Sequence, residues 1–162
     1  MDSGGVKWSK REGKLFYGQY EHTLDRKGRI IIPSKLRHVL SEIFSEKFMA
    51  TRGLEQCIFL FPVEQWKNLE EKTKTLPFMT GSHARAFTRL LFSGAVECSV
   101  DKQGRILLPE SLRRYAGIEK DIIITGVSDH IEIWSGKRWG DYLKKESGAF
   151  EDTAEKLMGF GI

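Results

Sequence analysis

Asp25-Arg26-Lys27-Gly28-Arg29-Ile30-Ile31-Ile32-Pro33 returns 76 positions later as Asp101-Lys102-Gln103-Gly104-Arg105-Ile106-Leu107-Leu108-Pro109, so one module is written twice in this chain of 162 residues. In each copy the aspartate can accept from backbone amides two residues on, and Gly28 and Gly104 supply the positive φ of a tight hairpin turn. The short aliphatic runs that follow, Ile30–Ile32 and Ile106–Leu108, predict buried strands. Pro33 and Pro109 cannot donate to a sheet ladder but suit the first position of a helix. Each strand is therefore expected to pass into a helix carrying Leu36-Arg37 or Leu112-Arg113.

Outward from the first copy, Leu15–Leu24 predicts a strand and Pro33 to about Ser45 a helix with Leu36, Val39, Leu40 and Ile43 on one face. Phe48–Thr51 and Cys57–Phe61 predict two more strands about a turn at Arg52-Gly53, and Glu64–Lys72 a second helix. The second copy repeats this order. Glu97–Val100 and Arg105–Leu108 are expected strands, Pro109–Ala116 is a helix that Gly117 can cap, and Asp121–Thr125 and His130–Trp134 are strands with Gly126 between them. A helix over Gly136–Glu146 matches the one around Trp66, and the pattern weakens into a tail beyond Ser147. Gly53 and Trp66 align with Gly126 and Trp139 at an offset of 73, which puts three extra residues in or just after the first helix. Between the copies, Pro77–Gly81 reads as a loop. Ser82–Phe92 reads as a linking helix, N-capped by Ser82, with Ala86, Phe87, Leu90 and Leu91 packed on the core.

The expected divisions are a basic arm over 1–17, the first repeat over 18–66, a helix and linker over 67–93, the second repeat over 94–140, and a helix end and tail over 141–162. A unit of this size is at the lower edge of what buries a stable core alone, so the copies are expected to form a pseudo-symmetric pair around one interior.

Hydrophobic content of 40% and charged content of 30% describe a soluble globular chain. No apolar run approaches the roughly 20 residues that span a bilayer, and Met1–Lys14 is polar and basic without a signal-peptide core, so a cytoplasmic protein without membrane contact is expected. Cys57 and Cys98 form no CxxC and read as buried thiols in strands; His22, His38, His83 and His130 are scattered, so neither metal nor cofactor is expected. No paired nucleophile and base, P-loop or dinucleotide fingerprint appears, which points away from an enzyme and from a small-molecule substrate.

The net charge of +4 and pI near 9.1 permit a polyanionic partner. Between Asp25 and Arg37 there are five bases against one acid, and between Asp101 and Arg114 four against two, so the repeat carries the basic character.

Asp-x-x-Gly-Arg-Ile followed by aliphatics, Pro and Leu-Arg resembles the AbrB/SpoVT-like transition-state regulators and related antitoxins. The tandem copies, with Tyr20–Asp25, Tyr115–Ile118 and Glu132-Ile133-Trp134 in order, resemble a tandem branch of that family over roughly residues 18 to 140. The resemblance implies an α+β fold in which two tandem halves form a pseudo-symmetric swapped-hairpin β-barrel with peripheral helices. It also implies a nucleoid-associated regulator of transcription. Such a protein acts at the promoter of the division and cell-wall gene cluster as a ring homo-oligomer on short repeated boxes of double-stranded DNA.

By the same resemblance the DNA-facing groups are Arg29 and Arg37 in the first copy and Arg105, Arg113 and Arg114 in the second. His38 stands where the first copy's second base would be, and His22 and Cys98 replace a basic residue of that family. Arg26, Lys27 and Lys102, at the turns, suit phosphates better than bases. Asp25 and Arg29, like Asp101 and Arg105, flank a tight turn and could equally staple it; for the two arginines stapling and DNA contact are both open. Two readings of a different class also stand: a ring-forming scaffold for an acidic protein partner, and an antitoxin-like regulator.

Overall fold

The computed structural model describes residues 15–43, 47–75 and 81–161. The expected basic arm as far as Lys14, the stretch 44–46 after the first helix and the loop from Pro77 to Thr80 lie outside them.

The first copy runs β1 (Phe16–Thr23), β2 (Arg29–Ile31), α1 (Ser34–Glu42), β3 (Lys47–Arg52), a single 3-10 turn (Leu54–Gln56), β4 (Ile58–Pro62) and α2 (Val63–Thr75). Helix α3 (Ser82–Ser93) leads to the second copy: β5 (Val96–Ser99), β6 (Arg105–Leu107), α4 (Glu110–Ala116), β7 (Asp121–Ser128), β8 (His130–Ser135) and α5 (Gly136–Ser147). The expected tail beyond Ser147 contains a further helix, α6 (Phe150–Met158). Pro33 and Pro109 are N-caps rather than first helical residues, and Gly117 ends α4 with a left-handed φ of 65° as expected.

Six strands form one antiparallel sheet in the order β1-β7-β8-β4-β3-β5, and β2 pairs with β6 in a separate two-stranded ribbon. Only the hairpins β3–β4 and β7–β8 lie within a copy; β1–β7, β5–β3, β4–β8 and β2–β6 all join one copy to the other. The expected hairpins of β1 with β2 and of β5 with β6 do not form ladders: after each tight turn the chain leaves the sheet and pairs with its counterpart. Nor do the described strands close into one barrel. A turn before and a proline after hold β2 and β6 to three residues each, and these pair with each other rather than with the sheet edges β1 and β5.

One core lies between ribbon and sheet and belongs to both copies. Ile30, Ile32, Ile106 and Leu108 of the ribbon strands and their ends meet Phe16, Phe48, Leu60, Ile122, Ile124 and Ile133 of the sheet, with Leu36, Leu40 and Leu112 from α1 and α4. Complete burial of each such side chain contributes about 1.5–3 kcal/mol. The opposite sheet face is covered too. Cys57, Ile123 and Trp134 pack with Trp139 and Tyr142 of α5, and Phe61 packs with Trp66 of α2 and Leu91 of α3. Burial on both faces explains the unbroken run Ile122-Ile123-Ile124.

Two local expectations change. Strand β7 runs unbroken from Asp121 to Ser128, so Gly126 lies inside it rather than between strands. It faces Gly18 there, and a Cβ would stand 2.3 Å from the Tyr17 nitrogen. Helix α3 starts after Gly81, so Ser82 is its first residue and not its cap, and its buried residue, Leu91, is near its C-terminal end. Leu91 is buried, Phe92 meets Trp66 edge-on at 5.2 Å, Thr51 donates to the Leu91 carbonyl and Arg52 to that of Leu90. Phe87 and Leu90 remain exposed.

His130, next to the β7–β8 turn, is held by two carboxylates, with Nδ1 2.9 Å from Asp129 and Nε2 3.0 Å from Glu132, over the edges of Phe59 and Phe61. Burial alone would pull its pKa down; the hydrogen bonds and charge of Glu132 and Asp129 together outweigh it and raise the pKa above 6.5. A raised folded value means that the imidazolium stabilises the fold fully below the unfolded value and that this contribution is lost as pH rises through the folded one. The urea midpoint is therefore expected to decline as pH rises from 6.5, and His130→Ala to remove that part of the slope.

Candidate nucleic-acid interface

Each repeat turn is built around its aspartate. Asp25 Oδ1 accepts from the amides of Lys27 (2.8 Å) and Arg29 (2.9 Å), while Oδ2 accepts from Arg29 Nε at 2.8 Å. Asp101 repeats this with Gln103 (2.8 Å), Arg105 (2.9 Å) and Arg105 Nε (2.9 Å). The backbone closes below, from Gly28 N to the Asp25 carbonyl at 3.1 Å and from Gly104 N to that of Asp101 at 3.0 Å. Both carboxyls are held below the usual carboxylate value, first by the backbone N–H of Arg29 or Arg105. Burial opposes this in part, and the same arginine's side chain and the Lys27 or Gln103 amide add to it.

The two turns are then locked to each other. Ile32 N donates to the Gly104 carbonyl (2.8 Å) and Leu108 N to the Gly28 carbonyl (2.9 Å), so each turn glycine receives the strand end of the other copy. Arg37 and Arg113, expected as DNA-facing groups, are half-buried braces. Arg37 Nε donates to the Ile32 carbonyl at 2.9 Å, and Arg113 Nε to that of Leu108 at 3.0 Å. Their guanidinium groups lie against the opposite copy's turn. A Cβ at Gly104 would be 2.7 Å from Arg37 Cζ, and one at Gly28 would be 3.0 Å from Arg113 Cζ. Both glycines also have a φ near 80°, at 83° and 79°, so a side chain is excluded twice over.

This architecture gathers some of the expected bases and separates others. Arg29 and Arg105 stand half-exposed on the outward face of the ribbon, with only Nε engaged in the hydrogen bonds given above. The antiparallel register places one basic turn at each end of the ribbon, with Arg26 and Lys27 exposed at one and Lys102 at the other. Arg114 is exposed and pairs with Glu110 at 3.0 Å. His38 faces Glu42 at 2.6 Å, so the first copy has no basic pair there. Cys98 is buried, with Sγ 3.6 Å from the Leu107 carbonyl, and burial pushes its thiol up to about 11; Cys57, also buried, is raised further. Neither thiol is ionised near neutrality.

The aliphatic runs were expected to be wholly buried, but Ile31 and Leu107 point outward. The signal available was period-two alternation, which gives a ribbon covered on one face an outward residue at every second position. Among the described residues no group of three His, Cys, Asp or Glu side chains could hold a metal ion, and no helix is long and apolar enough to cross a membrane.

The family profile described as "MraZ protein, putative antitoxin-like" matches residues 15–90 and 91–160. A protein named transcriptional regulator MraZ from Caldanaerobacter subterraneus subsp. tengcongensis is 54% identical over 148 residues, 91% of this chain and 100% of its own. Its namesakes from Desulfitobacterium hafniense and Heliobacterium modesticaldum are 50% and 51% identical over the same shares. The solution structure of PHS018 from Pyrococcus horikoshii covers 71% of this chain and 92% of its own at 17% identity and a TM-score of 0.31, an overlap too low to carry weight.

Removing one brace should loosen both copies. Arg37→Ala and Arg113→Ala are each expected to lower unfolding stability by about 1.5–3 kcal/mol, the range for a hydrogen bond made by a charged group, as measured by urea denaturation. Lysine at either position should recover little of it, having no planar group to lie on the turn.

Proposed function

The chain belongs to the MraZ family, and from that membership we propose that it is a sequence-specific DNA-binding regulator of transcription. One observation carries the proposal: two identically braced turns stand at the ends of one outward-facing ribbon, presenting Arg29 and Arg105 between Arg26, Lys27 and Lys102. A two-stranded ribbon fits the major groove of B-DNA, and a guanidinium held at Nε still has its terminal amino groups to offer to guanine acceptors or phosphate. The Asp–Arg pair serves both alternatives left open by the sequence, since stapling the turn also fixes the direction of the arginine. Arg26, Lys27 and Lys102 contact phosphates in this reading, Arg114 adds a flanking contact, and Arg37 and Arg113 act by holding the turns as much as by their own charge.

The resemblance to AbrB/SpoVT-like regulators supplies the finer parts of the proposal. The exchange of strands between the repeats, 18–66 and 94–140, is read as that family's swapped-hairpin arrangement, here with the sheet left open. The DNA is a set of short promoter boxes upstream of the division and cell-wall gene cluster, bound at the nucleoid by a ring homo-oligomer. Exposed apolar side chains support self-association: Phe87 and Leu90 on α3, and Phe150, Leu157 and Met158 at helical spacing on α6. The competing reading, a scaffold or antitoxin-like regulator holding an acidic protein, draws on the same basic face.

A gel shift with DNA from upstream of the protein's own gene, its repeat boxes intact or scrambled, separates the two. Specific binding that weakens steeply between 50 and about 200 mM salt is expected. Arg29→Ala or Arg105→Ala should cost about 1–3 kcal/mol in binding to the intact boxes while the protein stays folded by circular dichroism. Equal affinity for intact and scrambled boxes would remove the regulator reading. Loss of the fold in both variants would leave the arginines as staples only. Leu157→Glu is expected to reduce the assembly measured by light scattering.

A further inference from the structure

Ile31 is 45% exposed and Leu107 57% exposed at equivalent positions of the two copies, although their neighbours Ile30, Ile32, Ile106 and Leu108 are almost wholly buried. In a ribbon with one covered face, outward positions normally carry polar side chains. The register sets Arg29 opposite Leu107 and Ile31 opposite Arg105, so the outward face is a four-residue lozenge with an arginine and an aliphatic on each strand. Directly opposed side chains are about 5 Å apart, and residues two apart on a strand about 6.7 Å, so the lozenge spans about two base-pair steps of 3.4 Å.

Apolar contact in the major groove has one specific target, the C5-methyl group of thymine. We propose that Ile31 and Leu107 are specificity residues that pack on thymine methyls beside the guanines or phosphates met by Arg105 and Arg29. The inference rests on the DNA reading above. It commits to DNA rather than to a second copy of the chain because the two aliphatics are interleaved with two arginines and lie between turns bearing Arg26, Lys27 and Lys102, with the nearby carboxylates Asp25 and Asp101 already engaged by the arginines. Such a face is complementary to a polyanion and would repel its own image.

Deoxyuridine tests this directly, because it differs from thymidine only by that methyl. The full chain is titrated with its upstream DNA made with thymine or entirely with uracil, alongside the Ile31→Ala/Leu107→Ala double variant on the same two DNAs. Removing a buried methyl is expected to weaken wild-type binding by at least about fourfold. The double variant should bind the two DNAs equally while keeping its salt dependence; using the same DNAs cancels any change in duplex shape. If wild type distinguishes intact from scrambled boxes but not thymine from uracil, the inference fails and the DNA reading stands. A thymine preference that survives in the double variant also overturns it. So does a double variant that changes the oligomer's mass, since the aliphatics would then be an interface between copies. If wild type does not distinguish intact from scrambled boxes at all, the DNA reading fails first.

Discussion

Everything in this fold hangs on a carboxylate that satisfies three donors at once. Asp25 and Asp101 each take two backbone amides and one guanidinium Nε within 2.9 Å, closing a turn that would otherwise leave those groups to solvent. Hydrogen bonds to an ionised acceptor are about twice as strong as neutral ones, and here they act together at one site. The closed turn presents its glycine carbonyl to the other copy, at 2.8 Å from Ile32 N and 2.9 Å from Leu108 N. Local turn chemistry thus becomes the joint between the two halves.

From that joint the interdependence of the repeats follows. Four of the six strand pairings cross between copies, and the buried aliphatics of both copies share one interior. Apart from the hairpins β3–β4 and β7–β8, each copy depends on the other for its ladders and for its core, so disruption at one turn is felt at its counterpart. Arg37 and Arg113 reinforce this reciprocity, each holding its own strand end while covering the opposite turn. The arginines nearest the proposed DNA face therefore also carry structural duty. In Arg29 and Arg105 the two duties share one side chain, with Nε turned inward to the aspartate.

Much of this was legible in the residues. Repetition of Asp-x-x-Gly-Arg fixed the two turns, the aliphatic runs and prolines located β2, β6 and the helices after them, and Gly117 marked the end of α4. The buried thiols and the single shared core were also expected, the latter because a half-chain is too small to bury a core alone. The helix α6 lies where the sequence pattern weakens, and its apolar positions, Phe150, Leu157 and Met158, form a face left exposed among the described residues. Phe87 and Leu90 misled in the opposite sense: helical periodicity says which residues share a face, not whether anything lies against it.

The sequence by itself determined the local events: where the chain turns, where strands stop at proline, and which positions carry charge. These depend on dihedral limits and missing donors within a few residues. Only the tertiary structure decided which strand each turn delivers to its neighbour. It paired β2 with β6 instead of β1, and so faced Ile31 and Leu107 outward and laid Arg37 and Arg113 against the opposite turns. Strand pairing is a contest among partners far apart in the chain, settled by what each choice buries. Equal copies of one motif leave that contest undecided until both are folded around the same core.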